Sequence, residues 1–203
     1  MRVGLAVVWL VAMAASPAAA WERADFDRLR LEAPKAKTEE APPPPACEGC
    51  DLSGAHLSGY DLSRASFRGV ILGGARLMGT DLSKSDLREA SLGGAKLIGA
   101  DLTRADLRKA DLGGAALIGA DVGRSDLRGA DLRGALLIGT DLSRSNLSGA
   151  RTEPTTLEGA VLCHTVMPDG TVSDRDCRPE DDAGGGPPED EPPAAASVED
   201  ATR

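Results

Sequence analysis

Ala100-Asp101-Leu102-Thr103-Arg104, Ala105-Asp106-Leu107-Arg108-Lys109 and Ala110-Asp111-Leu112-Gly113-Gly114 are three copies of one pattern that runs from Asp51 to Leu162. Leucine returns at every fifth residue. Of 23 positions in unbroken register from Leu52 to Leu162, 20 are Leu; Phe67, Val122 and Thr152 fill the others. Two residues before each stands a small side chain, usually Ala and otherwise Ser or Thr, except at Cys50, Tyr60 and Val70. The residue directly before is most often Asp.

A period of five suits neither regular element. A straight α-helix turns about 100° per residue and would carry the leucines around its axis. A straight strand would send residues five apart to opposite faces. A short extended piece followed by a bend does bury the pattern. Ala55 and Leu57 then share a face, His56 points out, and Ser58-Gly59 makes the bend. A second period, of twenty, says how many bends close a coil. Gly73-Gly74 returns as Gly93-Gly94 and Gly113-Gly114, and Met78 returns as Ile98, Ile118 and Ile138. Four bends of about 90° make one coil, and coils stack at about 4.8 Å. Asp51–Leu162 therefore predicts about 5–6 coils and a rod on the order of 27 Å long, filled by stacked leucines.

These repeats resemble the pentapeptide-repeat family, whose motif A-(D/N)-L-x-x is matched most clearly at Ala100–Leu112. The resemblance implies an all-β fold, a right-handed quadrilateral parallel β-helix. It implies little about activity, because most members have none assigned and a fold does not fix a function. The flanks are similar to the end segments of exported members: Cys47-Glu48-Gly49-Cys50-Asp51-Leu52 at the start, and Leu162–Thr171 followed by Cys177 at the finish.

Around the repeats the composition changes. Residues 1–20 read as a secretory signal peptide: Arg2, an apolar run Val3–Ala15, then Ala18-Ala19-Ala20. The run is shorter than the roughly 20 residues of a spanning helix, so no membrane span is expected after its removal. Residues 21–46 hold a possible short helix at Trp21–Leu31 and a Pro-rich linker. Residues 47–177 form the β-helix domain with Cys-containing end caps, and 178–203 a disordered acidic tail too poor in apolar residues to fold. In a periplasmic or secreted chain four cysteines suggest disulfides, and spacing favours Cys47–Cys50 and Cys163–Cys177. One pair would sit at each end of the rod, where a bare strand edge invites association. A redox Cys-x-x-Cys should open a helix, and a four-thiolate zinc site would need the two rod ends together; neither suits this pattern.

The whole chain carries a net charge of −9, yet residues 51–160 hold 14 acidic and 14 basic residues. Asp61, Asp81, Asp101, Asp121 and Asp141 each stand three residues before a cation: Arg64, Lys84, Arg104, Arg124 and Arg144. Arg68, Arg88, Arg108 and Arg128 make a second basic column. A salt-bridged, solvated surface is the plain expectation, and a polyanion-binding stripe the functional alternative. Some members of the family mimic duplex DNA with a strongly negative rod and bind DNA gyrase. A neutral rod without interleaved aromatics fits that reading, or any nucleic-acid partner, less well. Met78, Ile98, Ile118 and Ile138 follow core leucines and should face outward as an apolar strip about 15 Å long. Such a strip is a partner or self-association surface, is covered by a terminal segment, or is tucked toward the wall by the bend. Tyr60 predicts a wider or partly open first coil, and Thr152 with Pro154 a loosened coil near 151–156.

Catalysis has little to stand on. His56 and His164 lie in opposite end regions, no Ser–His–acid grouping is recognisable, and no Gly-Gly pair precedes Lys-Ser/Thr. No cofactor or metal site is expected. The sequence predicts an exported, non-catalytic rod that serves as a structural or protein-interaction module. Binding of polyanionic envelope material is the alternative.

Overall fold

The computed structural model describes residues 46–153, 156–179 and 181. The expected signal peptide and Trp21–Leu31 helix, most of the expected linker and nearly all of the expected acidic tail lie outside the described residues.

Each five-residue unit repeats the same local events. Asp101 makes parallel bridges, Leu102 is buried, Thr103-Arg104 turn, and Ala105 comes back to the interior. The bridges define the coil. Asp61 pairs with Asp81, Asp81 with Asp101, Asp101 with Asp121 and Asp121 with Asp141. Every bridge from Ala46↔Ser66 to Asn146↔Val166 is parallel and joins residues one twenty-residue period apart. The pairs Arg76↔Lys96 and Lys96↔Ala116 set Leu77, Leu97 and Leu117 in successive coils, each no more than 1% exposed. Burying a leucine contributes roughly 1.5–3 kcal/mol, so this column, with its counterparts on the other walls, adds substantially to the cohesion between coils.

The backbone amides explain the rest of the unit, since every N–H needs an acceptor. Asp101 N donates to Thr80 O at 3.0 Å, in the coil before. Leu102 N and Arg104 N donate forward to Asp121 O and Gly123 O, and Ala105 N closes the bend on Leu102 O. Only Thr103 N is left, and Asp101 Oδ1 accepts it at 2.8 Å. The frequent Asp before each leucine is thus a cap for the one amide that the ladder does not use. Where Ser or Thr replaces the small Ala, its hydroxyl bonds a core carbonyl: Thr80 to Leu57 O, Ser125 to Leu102 O and Thr140 to Leu117 O.

Two irregularities bear on the reading of the sequence. Tyr60 does not open the first coil. Its side chain is buried, and the ladder passes it through His56↔Arg76 and Asp61↔Asp81. It lies in the first coil of the described residues. Near Thr152 the coil does slip. No described bridge joins Leu136 to the next coil, and Gly139 N reaches Gly159 O, one residue further than Gly119 N reaches Ile138 O. Register returns at Leu142 N, which donates to Val161 O. The domain ends in an antiparallel hairpin, β1 (Thr165–Val166) and β2 (Val172–Ser173), whose turn is pinned by Asp169 Oδ1 on Thr171 N at 3.0 Å.

Candidate functional site

The outer walls sort into columns because residues twenty apart stack. The expected pairing of Asp81, Asp101, Asp121 and Asp141 with the cations three residues later is not what the carboxylates do. Their Oδ1 atoms accept Ser83 N, Thr103 N, Gly123 N and Ser143 N at 2.8–2.9 Å. An amide two residues away is nearer and more rigidly placed than a long side chain. The ion pairs form instead on the next wall. Arg108 bonds Asp106 at 2.7 Å and reaches Asp126 of the following coil at 3.6 Å; Arg88 does the same with Asp86 and Asp106, and Arg128 pairs with Asp126. This ladder relieves like-charge stacking. The Arg88 hydrogen bond holds the Asp86 carboxyl below its ordinary range, and Arg133 holds Asp131 down to about 2.

The other basic column is different. Arg64, Lys84, Arg104 and Arg124 are exposed and make no side-chain hydrogen bond or ion pair among the described residues. Arg144, half-buried, donates to Asp181 O at 3.0 Å. All five stand at φ of 58–59°, the left-handed region that costs a side chain about 1 kcal/mol relative to Gly. The equivalent bend on the strip's wall carries Gly79, Gly99, Gly119 and Gly139.

The apolar strip does face outward. Met78 is 42%, Ile98 40% and Ile138 63% exposed, with Ile118 half-buried and Leu136 49% exposed beside them. At its end Gly159 packs on Ile138: a Cβ there would lie 3.3 Å from Ile138 Cα.

The ends carry the cysteines. Cys47 and Cys50 sulfurs lie 2.01 Å apart, and those of Cys163 and Cys177 2.09 Å, so each pair is at disulfide distance. At the C-terminal end the segment expected as a cap lies on the last coil, through two residues, Arg175 and Asp176, that the sequence did not single out. The Arg175 guanidinium donates to Leu157 O, Glu158 O and Ala160 O, and Asp176 Oδ2 accepts Leu162 N at 2.9 Å. A polar cleft of about 570 Å³ opens there, between Asp141, Glu158, Arg175 and Asp181. No described helix is long and apolar enough to cross a membrane.

Parallel coils of four five-residue units, with a leucine core and Asp-capped bends, define a solenoid of pentapeptide repeats. The family model described as Pentapeptide repeats (8 copies) matches residues 47–83, 85–124 and 125–162, more than half of the chain, and the chain belongs to that family. Among solved structures, a pentapeptide repeat protein from the Arabidopsis thaliana thylakoid lumen is 41% identical, over 50% of this chain and 64% of its own, with a TM-score of 0.28. The match thus spans less than two thirds of that protein. HetL, a pentapeptide repeat protein involved in heterocyst differentiation regulation from the cyanobacterium Nostoc sp. strain PCC 7120, is 28% identical over 63% of this chain and 89% of its own, with a TM-score of 0.20. QnrB1, a plasmid-mediated fluoroquinolone resistance protein, is 23% identical over 54% of this chain and 80% of its own, with a TM-score of 0.35. No curated protein matches the chain.

Proposed function

We propose that the protein is an exported, non-catalytic rod, right-handed and four-sided, that docks another protein or a second copy of itself on one wall. The exposed strip of Met78, Ile98 and Ile138, with Leu136 beside it, carries this reading. Contiguous apolar side chains on an otherwise charged solenoid mark an interaction surface. Export is supported by the apolar run and small-residue site of residues 1–20 and by sulfur pairs at both ends. N-terminal sequencing of the mature protein should then begin near Trp21. The double change Ile98→Glu/Ile118→Glu should abolish self-association or partner capture while leaving the far-UV spectrum unchanged; association that survives it removes the strip as the interface.

The second reading is a polyanion-binding stripe of Arg64, Lys84, Arg104, Arg124 and Arg144. It is favoured by one observation: cations occupy a left-handed bend that glycine fills at no cost, and four of them have no described side-chain partner. The same left-handed bend recurs at Glu89 and Lys109, so the reading rests on a column whose five bend residues, Arg64 to Arg144, are all cationic. Binding to anionic envelope polymers that collapses as salt rises would support this reading, and salt-insensitive association would support the first.

A further inference from the structure

We propose that the C-terminal cap is a redox-gated Zn2+ site, in which Cys163, Cys177, His164 and Asp174 hold the ion once the two sulfurs are reduced. The ligand atoms of Cys163, His164 and Cys177 all lie within 4.8 Å of one another. Asp174 Oδ1 adds a fourth donor, 2.9 Å from His164 Nδ1 and 3.8 Å from Cys177 Sγ. Two sulfurs, an imidazole and a carboxylate are a zinc donor set. Zinc sits about 2.3 Å from sulfur and about 2.1 Å from nitrogen, so its tetrahedral ligands lie within about 4 Å of each other. Once reduced, the two sulfurs, bonded in the oxidised cap, must part to about 3.8 Å while the more distant ligand atoms close by about 1 Å to complete the shell.

The scaffold that gathers these groups does not need the sulfur–sulfur bond. Thr165 pairs with Ser173 in the terminal hairpin, which sets His164 opposite Asp174. Asp174 Oδ1 also accepts His164 N at 3.1 Å. Asp176 N donates to Leu162 O at 3.0 Å and Asp176 Oδ2 accepts Leu162 N, which locks the returning segment beside Cys163. His164 is held at φ 52°, a left-handed conformation that a non-glycine residue adopts at a cost. The Cys163 side is buried, and His164 and Cys177 are half-buried, so the site is partly shielded and still reachable.

The chemistry balances with a dithiol as reductant. It gives two electrons and two protons to the Cys163–Cys177 bond, becomes a disulfide itself, and leaves two thiols. Zn2+ then displaces both thiol protons. The oxidised cap has no thiolate to offer and should not bind. This site stands apart from the wall surfaces and does not depend on how they are used.

The test uses the full chain with Cys47→Ser and Cys50→Ser, so that only one sulfur pair remains. Reduction is done with a phosphine, because dithiols compete for zinc. Competition against a chromophoric chelator should show about one Zn2+ per reduced chain and none on the oxidised chain. Co2+ should give the intense absorption of a tetrahedral thiolate site. His164→Ala and Asp174→Ala should each weaken binding at least about tenfold. Two results would overturn the proposal: a reduced chain that takes no more zinc than a Cys163→Ser/Cys177→Ser control, or affinity unchanged by His164→Ala. The second would mean that two thiols bind zinc without the cap's geometry, as they would in an unfolded segment.

Discussion

Asp111 accepts Gly113 N at 2.9 Å and makes no ion pair among the described residues, with only a longer-range attraction to Arg133, so its effect on the fold is chiefly that of a bend cap. Asp111→Ala should therefore destabilise the rod by about 1 kcal/mol. Asp111→Asn should recover most of this, because Asn146 caps Ser148 N in the same way at 2.9 Å. Urea unfolding checks both, and equal losses for Ala and Asn would show that the charge matters and the cap does not. Bend glycines make a second residue-scale case. Gly99 has φ 62°, and a Cβ added there would meet nothing within 4 Å. Gly99→Ala then costs backbone strain without a clash, about 1 kcal/mol. Arg104, at φ 58°, is already in that state, so Arg104→Gly should shift the unfolding midpoint upward. Midpoints that move in the same direction for the two variants would contradict the strain argument.

At the scale of the coil, the two periods were legible because each unit states its own burial and its own bend. Leu and Ala two apart face inward, Gly or Ser supplies the turn, and the twenty-residue recurrence matches the observed bridges. The slip after Thr152 was legible in the same way, from a polar residue in a core position and a proline two residues on in the sequence. The use of Asp was not legible. An Asp three residues before an Arg looks like an ion pair, and sequence does not show that the amide at the bend lacks another acceptor. Arg175 was also hidden, because its partners are carbonyls and carry no side-chain signature. Its position makes a prediction at this scale. Arg175→Ala should uncover the carbonyls of Leu157, Glu158 and Ala160 at the last coil and leave an edge open to another chain. Light scattering should then show concentration-dependent assembly with secondary structure retained. A variant that stays as the parent does would mean that the hairpin alone protects that end.

Across the whole molecule, carboxylates on several walls and at the cap share one bias. Asp131 is held down to about 2 by its hydrogen bond from Arg133, Asp86 is lowered by Arg88, Asp51 and Asp169 by the residues two ahead, and Asp176 by Leu162 N. A carboxyl whose folded pKa lies below its unfolded value, 3.8 here, binds a proton more readily in the unfolded chain. Its stabilisation is complete above about pH 4 and is lost as pH falls toward the folded value, so the sign is acid destabilisation. The urea midpoint should stay nearly level from pH 7 to 5 and fall between about pH 4 and 2. Asp131→Asn removes one of the shifted groups and should make that fall shallower without flattening it. These side chains are exposed or half-buried, so added salt should weaken the ion-paired share and spare the amide caps. A midpoint that does not change down to pH 2 would mean that the carboxylates decorate the rod, and that the leucine column alone sets its stability.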